Sequence, residues 1–165
     1  AALGGAVPIH HIAEQDSTDL EKAMQHINAP LCLGFGFLGR RFDHALASLT
    51  VLARMTDARP EMKIVLAGRH DALTVTKQTI RTALPVDTRY SVWPVGTVGF
   101  DKSDGLAWPL DDLTLSPHGQ VGTSNRTAKS AQLLQPASDN TTAFAVIVPV
   151  ECLGHLCDAV MFGAG

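Results

Sequence analysis

The sequence predicts an α/β unit followed by an all-β unit, and three observations support this fold class. Residues 7–67 alternate between short apolar runs and stretches with helical spacing, a pattern typical of a parallel sheet flanked by helices. After about residue 70, short apolar runs are separated by turns, and prolines interrupt the helical patterns. The segment 116–119, Ser-Pro-His-Gly, is typical of a tight turn. We therefore predict an α/β domain at residues 1–70 and an antiparallel β-sandwich at residues 71–165.

The composition is that of an ordinary globular protein. The chain has 165 residues, enough for one good hydrophobic core or two small ones. Its net charge of −3, with mixed signs, gives no support for a nucleic-acid surface. No apolar run is long enough to span a membrane. The three cysteines form no metal-ligand quartet, so we expect a cytoplasmic protein with reduced thiols.

The first domain is predicted to begin with a strand at residues 7–12. A helix follows from near Ser17 or Thr18, because apolar residues then recur at helical spacing. A second strand begins at Leu31, and after another helical pattern a third strand occupies residues 63–67. Strands connected in this way run parallel, and ligands of such sheets bind beyond the carboxyl ends of the strands.

The second strand leads into the segment 34–44, Gly-Phe-Gly-Phe-Leu-Gly-Arg-Arg-Phe-Asp-His. Gly36 and Gly39 let the backbone turn tightly and approach a ligand, and the following helix presents unpaired N–H groups to anions. Arg41 can bind a phosphate through two hydrogen bonds, and Asp43 can bind a divalent cation. These residues predict a phosphate and metal corner. The alternative from the residues alone is an ordinary strand-to-helix turn with solvated charges.

A second polar corner precedes the first helix, where Asp16 and Asp19 stand close to Thr18. One interpretation is capping of the helix and compensation of its dipole, with a cap contributing about 0.5–2 kcal/mol. The other interpretation is metal binding beside nucleotide phosphates. Both corners follow predicted parallel strands, so we expect them to face one site.

The second half is predicted to consist of short strands separated by turns. A polar loop is expected at residues 135–142, and residues 152–161 are expected to form a short terminal helix or a tail. The predicted strands are residues 72–79, 89–94, 105–115, 120–124 and 143–150.

Three separated stretches match, in order and spacing, the motifs of one enzyme family. Residues 15–19 read Gln-Asp-Ser-Thr-Asp, and residues 36–44 contain a glycine, arginine, aspartate and histidine in that order. The third stretch has two parts: residues 105–110 read Gly-Leu-Ala-Trp-Pro-Leu, and residues 122–125 read Gly-Thr-Ser-Asn. These stretches resemble motifs of the thiamine pyrophosphokinases. The resemblance covers most of residues 7–150 and implies an α/β domain followed by a β-sandwich that binds thiamine.

The resemblance implies transfer of pyrophosphate from ATP to the hydroxyl group of thiamine, giving thiamine diphosphate and AMP. It implies Mg²⁺ as cofactor, ATP and thiamine as ligands, and a homodimer. Asp19, Asp43 and Arg41 are then the catalytic residues. Asp19 binds the metal, Asp43 binds the metal or orients thiamine, and Arg41 binds phosphate. The remaining predicted site residues bind the nucleotide (Gln15, Asp16, Thr18, Gly36 and Gly39) or thiamine (Trp108, Thr123, Ser124 and Asn125).

The chain departs from the family pattern at three places. Arg40 follows Gly39 where the family usually has a second glycine, and Ala107 stands where a basic residue is usual. Nothing in residues 1–13 matches the upstream Gly-Asp-x-Asp-Ser motif, so we expect a fragment that lacks part of the metal site. The alternatives are a non-catalytic nucleotide- or thiamine-binding relative and a purely structural subunit. For the individual residues, the alternatives are a surface ion pair for Arg41 and a structural turn for residues 123–125.

Trp108 has two predicted settings. Its period-2 alternation with Leu106 and Leu110 predicts that all three side chains lie in a β core. The resemblance instead implies that Trp108 lies against thiamine, in a cleft completed by the neighbouring subunit. In that setting its indole is partly exposed, close to Ser124 and Asn125.

Overall fold

The computed structural model describes residues 12–14, 16–39 and 41–163. Its helices are α1 (Asp19–His26), α2 (Phe42–Ala58) and α3 (Leu153–Phe162), and a 3₁₀ turn at Val150–Cys152 leads into α3. Its strands are β1 (Leu31–Phe35), β2 (Lys63–Ala67), β3 (Asp71–Thr76), β4 (Ile80–Thr82), β5 (Arg89–Pro94), β6 (Val98–Asp104), β7 (Thr114–Leu115), β8 (Gly122–Arg126), β9 (Gln132–Pro136) and β10 (Phe144–Pro149).

Within these ranges the strands form two sheets. The first has the order β1-β2-β3-β10-β5-β8, and the second has the order β4-β9-β6-β7. Strands β1 and β2 are parallel, with Leu31 opposite Lys63, and they are joined by α2. The other strand pairs of both sheets are antiparallel. The predicted fold class, an α/β unit with a parallel strand pair followed by an antiparallel β-sandwich, is confirmed.

Two hydrophobic clusters hold the layers together. Helices α1 and α2 cover one face of the first sheet, where Leu20 and Leu52 pack with Leu66 of β2. The other face packs against the second sheet and α3, and Phe100 meets Phe144 edge to face with ring centroids 5.2 Å apart. Full burial of one such side chain contributes about 1.5–3 kcal/mol, so these two interfaces carry much of the stability.

The first half folds largely as its sequence pattern predicts. The Thr18 hydroxyl accepts a hydrogen bond from the Glu21 backbone N–H at 3.2 Å, which caps α1 at the predicted position. Strand β2 coincides with the predicted residues 63–67, and its four apolar residues after Lys63 are buried because both sheet faces are covered. The strand predicted at residues 7–12 lies outside the described residues except for Ile12, which is not in a strand.

The second half differs from the prediction at one strand and adds others. Residues 105–115 are not a continuous strand, because only Thr114–Leu115 pairs, apart from an isolated bridge at Leu106. Gly105 has a φ of 77° and Asp112 a φ of 60°, and both values lie outside the extended region of a regular strand. Strands β4, β6 and β9 were not predicted, since their apolar residues do not form distinct runs. Residues 153–162 form a helix.

The first sheet runs across the predicted domain boundary at residue 70. Strand β2 pairs with β3 directly, with Val65 opposite Thr74, so residues on both sides of the boundary share one sheet. The division into two domains stays a prediction. In the part of the chain that the structure describes, no helix is long and apolar enough to cross a membrane.

Candidate active site

A cleft of about 400 Å³ lies beyond the carboxyl end of β1. One wall is the start of α1, and the other is formed by the glycine loop, residues 36–39, and the first turns of α2. The structure therefore brings the two polar corners of the sequence together at one cleft. The lining residues are Ser17, Thr18, Asp19, Leu20, Lys22, Gly36, Phe37, His44, Ala47 and Ser48.

The glycine loop is anchored on its inner side and open on its outer side. Gly36 has a φ of 88°, a conformation that residues with a β-carbon rarely adopt, and this reverses the chain immediately after β1. The buried Ser48 hydroxyl donates to the carbonyl oxygens of His44 at 2.9 Å and Phe37 at 3.4 Å, which ties the loop to α2. The ring of Phe37 packs against the core. The loop backbone is thus held in place beside an open cleft.

The N-terminus of α2 carries an exposed ion pair. Arg41 occupies the capping position but makes no side-chain cap, so the first helical N–H groups keep their attraction for anions. Its guanidinium donates through Nε to Asp43 Oδ1 at 3.1 Å and through Nη2 to Asp43 Oδ2 at 2.5 Å. These hydrogen bonds lower the pKa of the Asp43 carboxyl group and raise the pKa of Arg41. The surface ion pair expected as an alternative is present, and the phosphate and metal roles stay predictions.

The carboxylates of the site supply only part of the coordination shell that a divalent cation needs. Asp19 lines the cleft, and no side chain or backbone group among the described residues bonds to its carboxylate. Asp43 is engaged by Arg41. The described residues contain no group of three or more potential metal ligands. Mg²⁺ commonly uses one or two carboxylates together with substrate phosphates and water, so Asp19 fits one position of such a shell.

The other predicted nucleotide-binding residues have different surroundings. Asp16 is exposed, its backbone N–H donates to Glu14 Oε2 at 2.7 Å, and it does not line the cleft. Thr18 lines the cleft, but its hydroxyl accepts the capping hydrogen bond of α1. Gly39 lies in a pocket that adjoins the cleft, together with Arg41. Gln15 lies outside the described residues.

Two cleft residues were not predicted from the sequence. Lys22 follows Thr18 by one helical turn and therefore lies on the same face of α1; its Nζ donates to the Glu14 carbonyl oxygen at 2.6 Å. His44 lines both the cleft and the adjoining pocket. The helical spacing from Thr18 to Lys22, and the position of His44 at the end of the glycine loop, were the signals that could have identified them.

The predicted thiamine-binding residues gather at the far edge of the first sheet. The Trp108 side chain is 56% exposed, whereas Leu106 and Leu110 are buried. The prediction of a shared β core is wrong for Trp108, because residues 105–113 do not form the strand on which that alternation depends. Trp108 lies beside Asn125, whose amide hydrogen-bonds to its backbone.

Strand β8 presents the neighbouring side chains to solvent. Thr123 and Ser124 are exposed, and Ser124 has a φ of 61°. The Ser124 backbone N–H donates to the Ser91 hydroxyl at 3.0 Å, and the Ser124 hydroxyl itself forms no hydrogen bond with the described residues. A shallow pocket here is lined by Asp87, Arg89, Ser124, Asn125 and Arg126.

The two groups of predicted site residues lie far apart in one chain. The cleft adjoins β1 and the Trp108 region adjoins β8, and these strands are the opposite edges of the six-stranded sheet. Adjacent strands are about 4.8 Å apart, so five spacings separate the two edges by roughly 24 Å. A single chain therefore does not bring the two groups of residues together.

The chain is similar in sequence to known thiamine pyrophosphokinases. A family model described as the catalytic domain of thiamin pyrophosphokinase matches residues 4–66. Thiamine pyrophosphokinase 2 of Arabidopsis thaliana is 27% identical over 150 residues, which cover 82% of this chain and 55% of the plant protein. Thiamine pyrophosphokinase 1 of Oryza sativa subsp. japonica is 29% identical over 136 residues, which cover 73% of this chain and 50% of the rice protein. The chain thus spans about half the length of these relatives.

The chain is also similar in structure to solved thiamin pyrophosphokinases. The protein from Geobacillus thermodenitrificans superposes with a TM-score of 0.69 and 26% identity, covering 83% of this chain and 63% of that chain. The Bacillus subtilis protein shares the fold, with a TM-score of 0.71 at 19% identity, and the superposition covers 84% of this chain and 65% of that chain. The sequence similarities and the structural similarity therefore point to the same group of proteins, the thiamine pyrophosphokinases, as those that this chain resembles.

Proposed function

We propose that this chain acts as a transferase that moves pyrophosphate from ATP to thiamine, giving thiamine diphosphate and AMP. One observation carries the proposal: the start of α1 and the glycine loop, separate in sequence, line one cleft at the carboxyl end of a parallel strand. Parallel α/β sheets bind their ligands at this position. The names of the sequence relatives, both thiamine pyrophosphokinases, support this reaction class.

The cleft has the groups that a triphosphate requires. The glycine-loop backbone and the uncapped N-terminus of α2 offer N–H groups to phosphate oxygens. Lys22 and Arg41 supply positive charge at the cleft and in the pocket that adjoins it. Pyrophosphoryl transfer depends on holding the attacking oxygen in line with the phosphorus and on stabilising the charge that develops on the phosphate oxygens.

Thiamine would bind at the β8 edge, against the exposed indole of Trp108. Its flat, cationic ring system suits the face of an indole, and such contacts contribute about 0.5–2 kcal/mol. The exposed Ser124 hydroxyl is available to hydrogen-bond the aminopyrimidine, and Thr123 lies beside it on the same strand.

The geometry of the single chain supports a homodimer. Reacting atoms must approach to about 3–3.5 Å, whereas the two edges of the sheet are roughly 24 Å apart. A second copy that turns its β8 edge toward the first copy's cleft would bring thiamine to the nucleotide. Each active site would then use Asp19 of one chain and Trp108 of the other.

Mg²⁺ would be held by Asp19 together with triphosphate oxygens, and when bound it would neutralise charge on those oxygens. We predict that Asp19→Asn weakens binding of Mn²⁺ in the presence of ATP by at least about tenfold, because it removes the negative charge that faces the cleft. Asp16→Asn is the matched control, because Asp16 is adjacent in sequence to the cleft residue Ser17 but does not itself line the cleft. Electron paramagnetic resonance measures the bound metal, and equal affinity in both variants would remove Asp19 from the metal shell.

Identification of the products tests the proposed reaction. The chain is incubated with thiamine and ATP–Mg²⁺, and the nucleotide and thiamine products are separated by chromatography. We expect AMP and thiamine diphosphate in equal amounts. Formation of ADP and thiamine monophosphate would contradict pyrophosphoryl transfer.

One observation favours a second candidate, a relative that binds the ligands without turnover. The described residues hold no cluster of three potential metal ligands, and Asp43 is occupied by Arg41. Calorimetric binding of ATP–Mg²⁺ and thiamine without either product would support this candidate. Binding of neither ligand would leave only a structural role.

A further inference from the structure

The backbone of Trp108 is held by a single side chain. The Trp108 N–H donates to Asn125 Oδ1 at 3.2 Å, and the Trp108 carbonyl oxygen accepts from Asn125 Nδ2 at 2.6 Å. One amide group thus fixes both polar groups of this residue. The indole itself stays 56% exposed, whereas Asn125 is 4% exposed.

The residues before Trp108 are attached to the same strand end. The Ala107 N–H donates to the Arg126 carbonyl oxygen at 2.8 Å, and Leu106 bridges to Thr127. The carbonyl oxygen of Gly105 accepts from the Ala128 N–H at 2.8 Å. The segment therefore follows the end of β8 residue by residue, and the contact to Asn125 is the last of this series.

Asn125 has little hydrogen-bonding capacity left for a ligand. Its Oδ1 also accepts the Arg126 N–H at 2.8 Å, so both lone pairs of that oxygen are used. Its Nδ2 has two N–H groups, one of which is used by Trp108. The side chain is buried beneath the Trp108 segment, and the nearest exposed hydroxyl on β8 is that of Ser124.

We propose that Asn125 is a positioning residue that acts through Trp108, fixing its backbone so that the exposed indole is preorganised to receive thiamine. This role rests on the proposed function and replaces a direct hydrogen bond from Asn125 to thiamine. An aromatic platform held in its binding orientation loses less conformational entropy when its ligand arrives. A buried side chain that bonds both polar groups of the Trp108 backbone suits this support role.

The first test needs no ligand. The chain has two tryptophans, so a Trp93→Phe background leaves Trp108 as the only one. Asn125→Ala in this background should lower the fluorescence anisotropy of Trp108 and increase its quenching by acrylamide. Asn125→Asp keeps an acceptor for the Trp108 N–H but loses the donor to its carbonyl oxygen, and should give an intermediate value. Unchanged anisotropy and quenching in a folded Asn125→Ala chain would overturn the positioning role.

The second test is a double-mutant cycle on thiamine affinity, measured by calorimetry without the Trp93 substitution. Asn125→Ala and Trp108→Ala should each weaken binding by about five- to thirtyfold. If Asn125 acts only through Trp108, the double variant should bind no more weakly than Trp108→Ala alone. Multiplied losses in the double variant would mean that Asn125 contacts thiamine directly, and the proposal would be wrong.

Two controls keep the outcomes distinct. Ser124→Ala should combine with Trp108→Ala multiplicatively, because Ser124 is exposed and the polar groups of the Trp108 backbone bond to Asn125 instead. If Asn125→Ala does not fold, the cycle is carried out with Asn125→Asp. Failure of the unmodified chain to bind thiamine would overturn the proposed function, while the fluorescence test would still decide whether Asn125 holds Trp108.

Discussion

A subunit-mixing experiment tests the proposal that two chains build each active site. One chain carries Asp19→Asn, which damages the nucleotide cleft beside β1, and the other carries Trp108→Ala, which damages the thiamine side beside β8. Each homodimer has two damaged sites, so at limiting thiamine each variant alone should retain only a small fraction of the unmodified rate. A heterodimer has one site with both defects and one site with neither, and the intact site should work.

The structure sets the expected size of the recovery. The damaged positions adjoin strands that are five spacings apart, roughly 24 Å, so they cannot belong to one site within one chain. Random association of equal amounts makes half of the dimers mixed, and half of their sites are intact. The mixture should therefore reach about one quarter of the unmodified rate.

The assay is the rate of AMP formation after the two chains are unfolded together and refolded. The control mixes Asp19→Asn with a chain that carries both substitutions, which leaves no intact nucleotide cleft and should give no recovery. Absence of recovery in the test mixture, with mixed dimers demonstrated by mass, would show that one chain supplies both Asp19 and Trp108 to a site. The argument from the sheet order would then be wrong.

Three further predictions concern single positions. Gly36→Ala should lower the free energy of unfolding, measured by denaturant titration, by about 1–2 kcal/mol, because the φ of 88° at Gly36 is strained for alanine. Gly39 has open space around it, so Gly39→Ala should have little effect in the same titration. Arg41→Gln should raise the pKa of Asp43 toward the ordinary carboxyl value, as followed by NMR. Because the ion pair is lost when the pH falls through the lowered pKa of Asp43, the thermal stability of the variant should differ from that of the parent at neutral pH but not in strong acid. Gly105→Ala should lower the free energy of unfolding by more than about 2 kcal/mol, since the added carbon would lie 2.1 Å from a backbone carbonyl oxygen; an unchanged unfolding midpoint would contradict the observed backbone geometry.

Local chemistry made the first half of the fold predictable. The cap at Thr18 and the apolar run at residues 63–67 are signals that act over a few residues, and both appear where the sequence places them. The segment 105–115 misled the prediction because Leu106, Trp108 and Leu110 alternate as they would in a strand. The burial of Leu106 and Leu110 and the exposure of Trp108 depend on a loop docked to β8, which is a contact between residues distant in sequence.

The candidate site was predictable in its parts but not in its arrangement. The motifs predicted Asp19 and Trp108 as site residues, which stays a prediction, and the rule for parallel sheets predicted that both polar corners face one cleft. The ion pair between Arg41 and Asp43 was foreseen only as an alternative, because sequence spacing does not decide whether a carboxylate faces an arginine or a ligand. The support that Asn125 gives to Trp108 was not foreseen, since it requires the pairing around β8.

Exposed aromatic side chains at both edges of the sheet have a common explanation in the two-chain site. Phe35 and Phe42 flank the glycine loop and are 64% and 76% exposed, and Trp108 at the opposite edge is 56% exposed. Large apolar surface left in water is unfavourable by about 25 cal/mol per Å², and contiguous apolar surface commonly marks a binding site. If one chain's β8 edge meets the other's cleft, these rings are covered by the same association that brings thiamine to ATP. Association and assembly of the active site would then be one event, which is why the mixing experiment is expected to restore activity only in dimers.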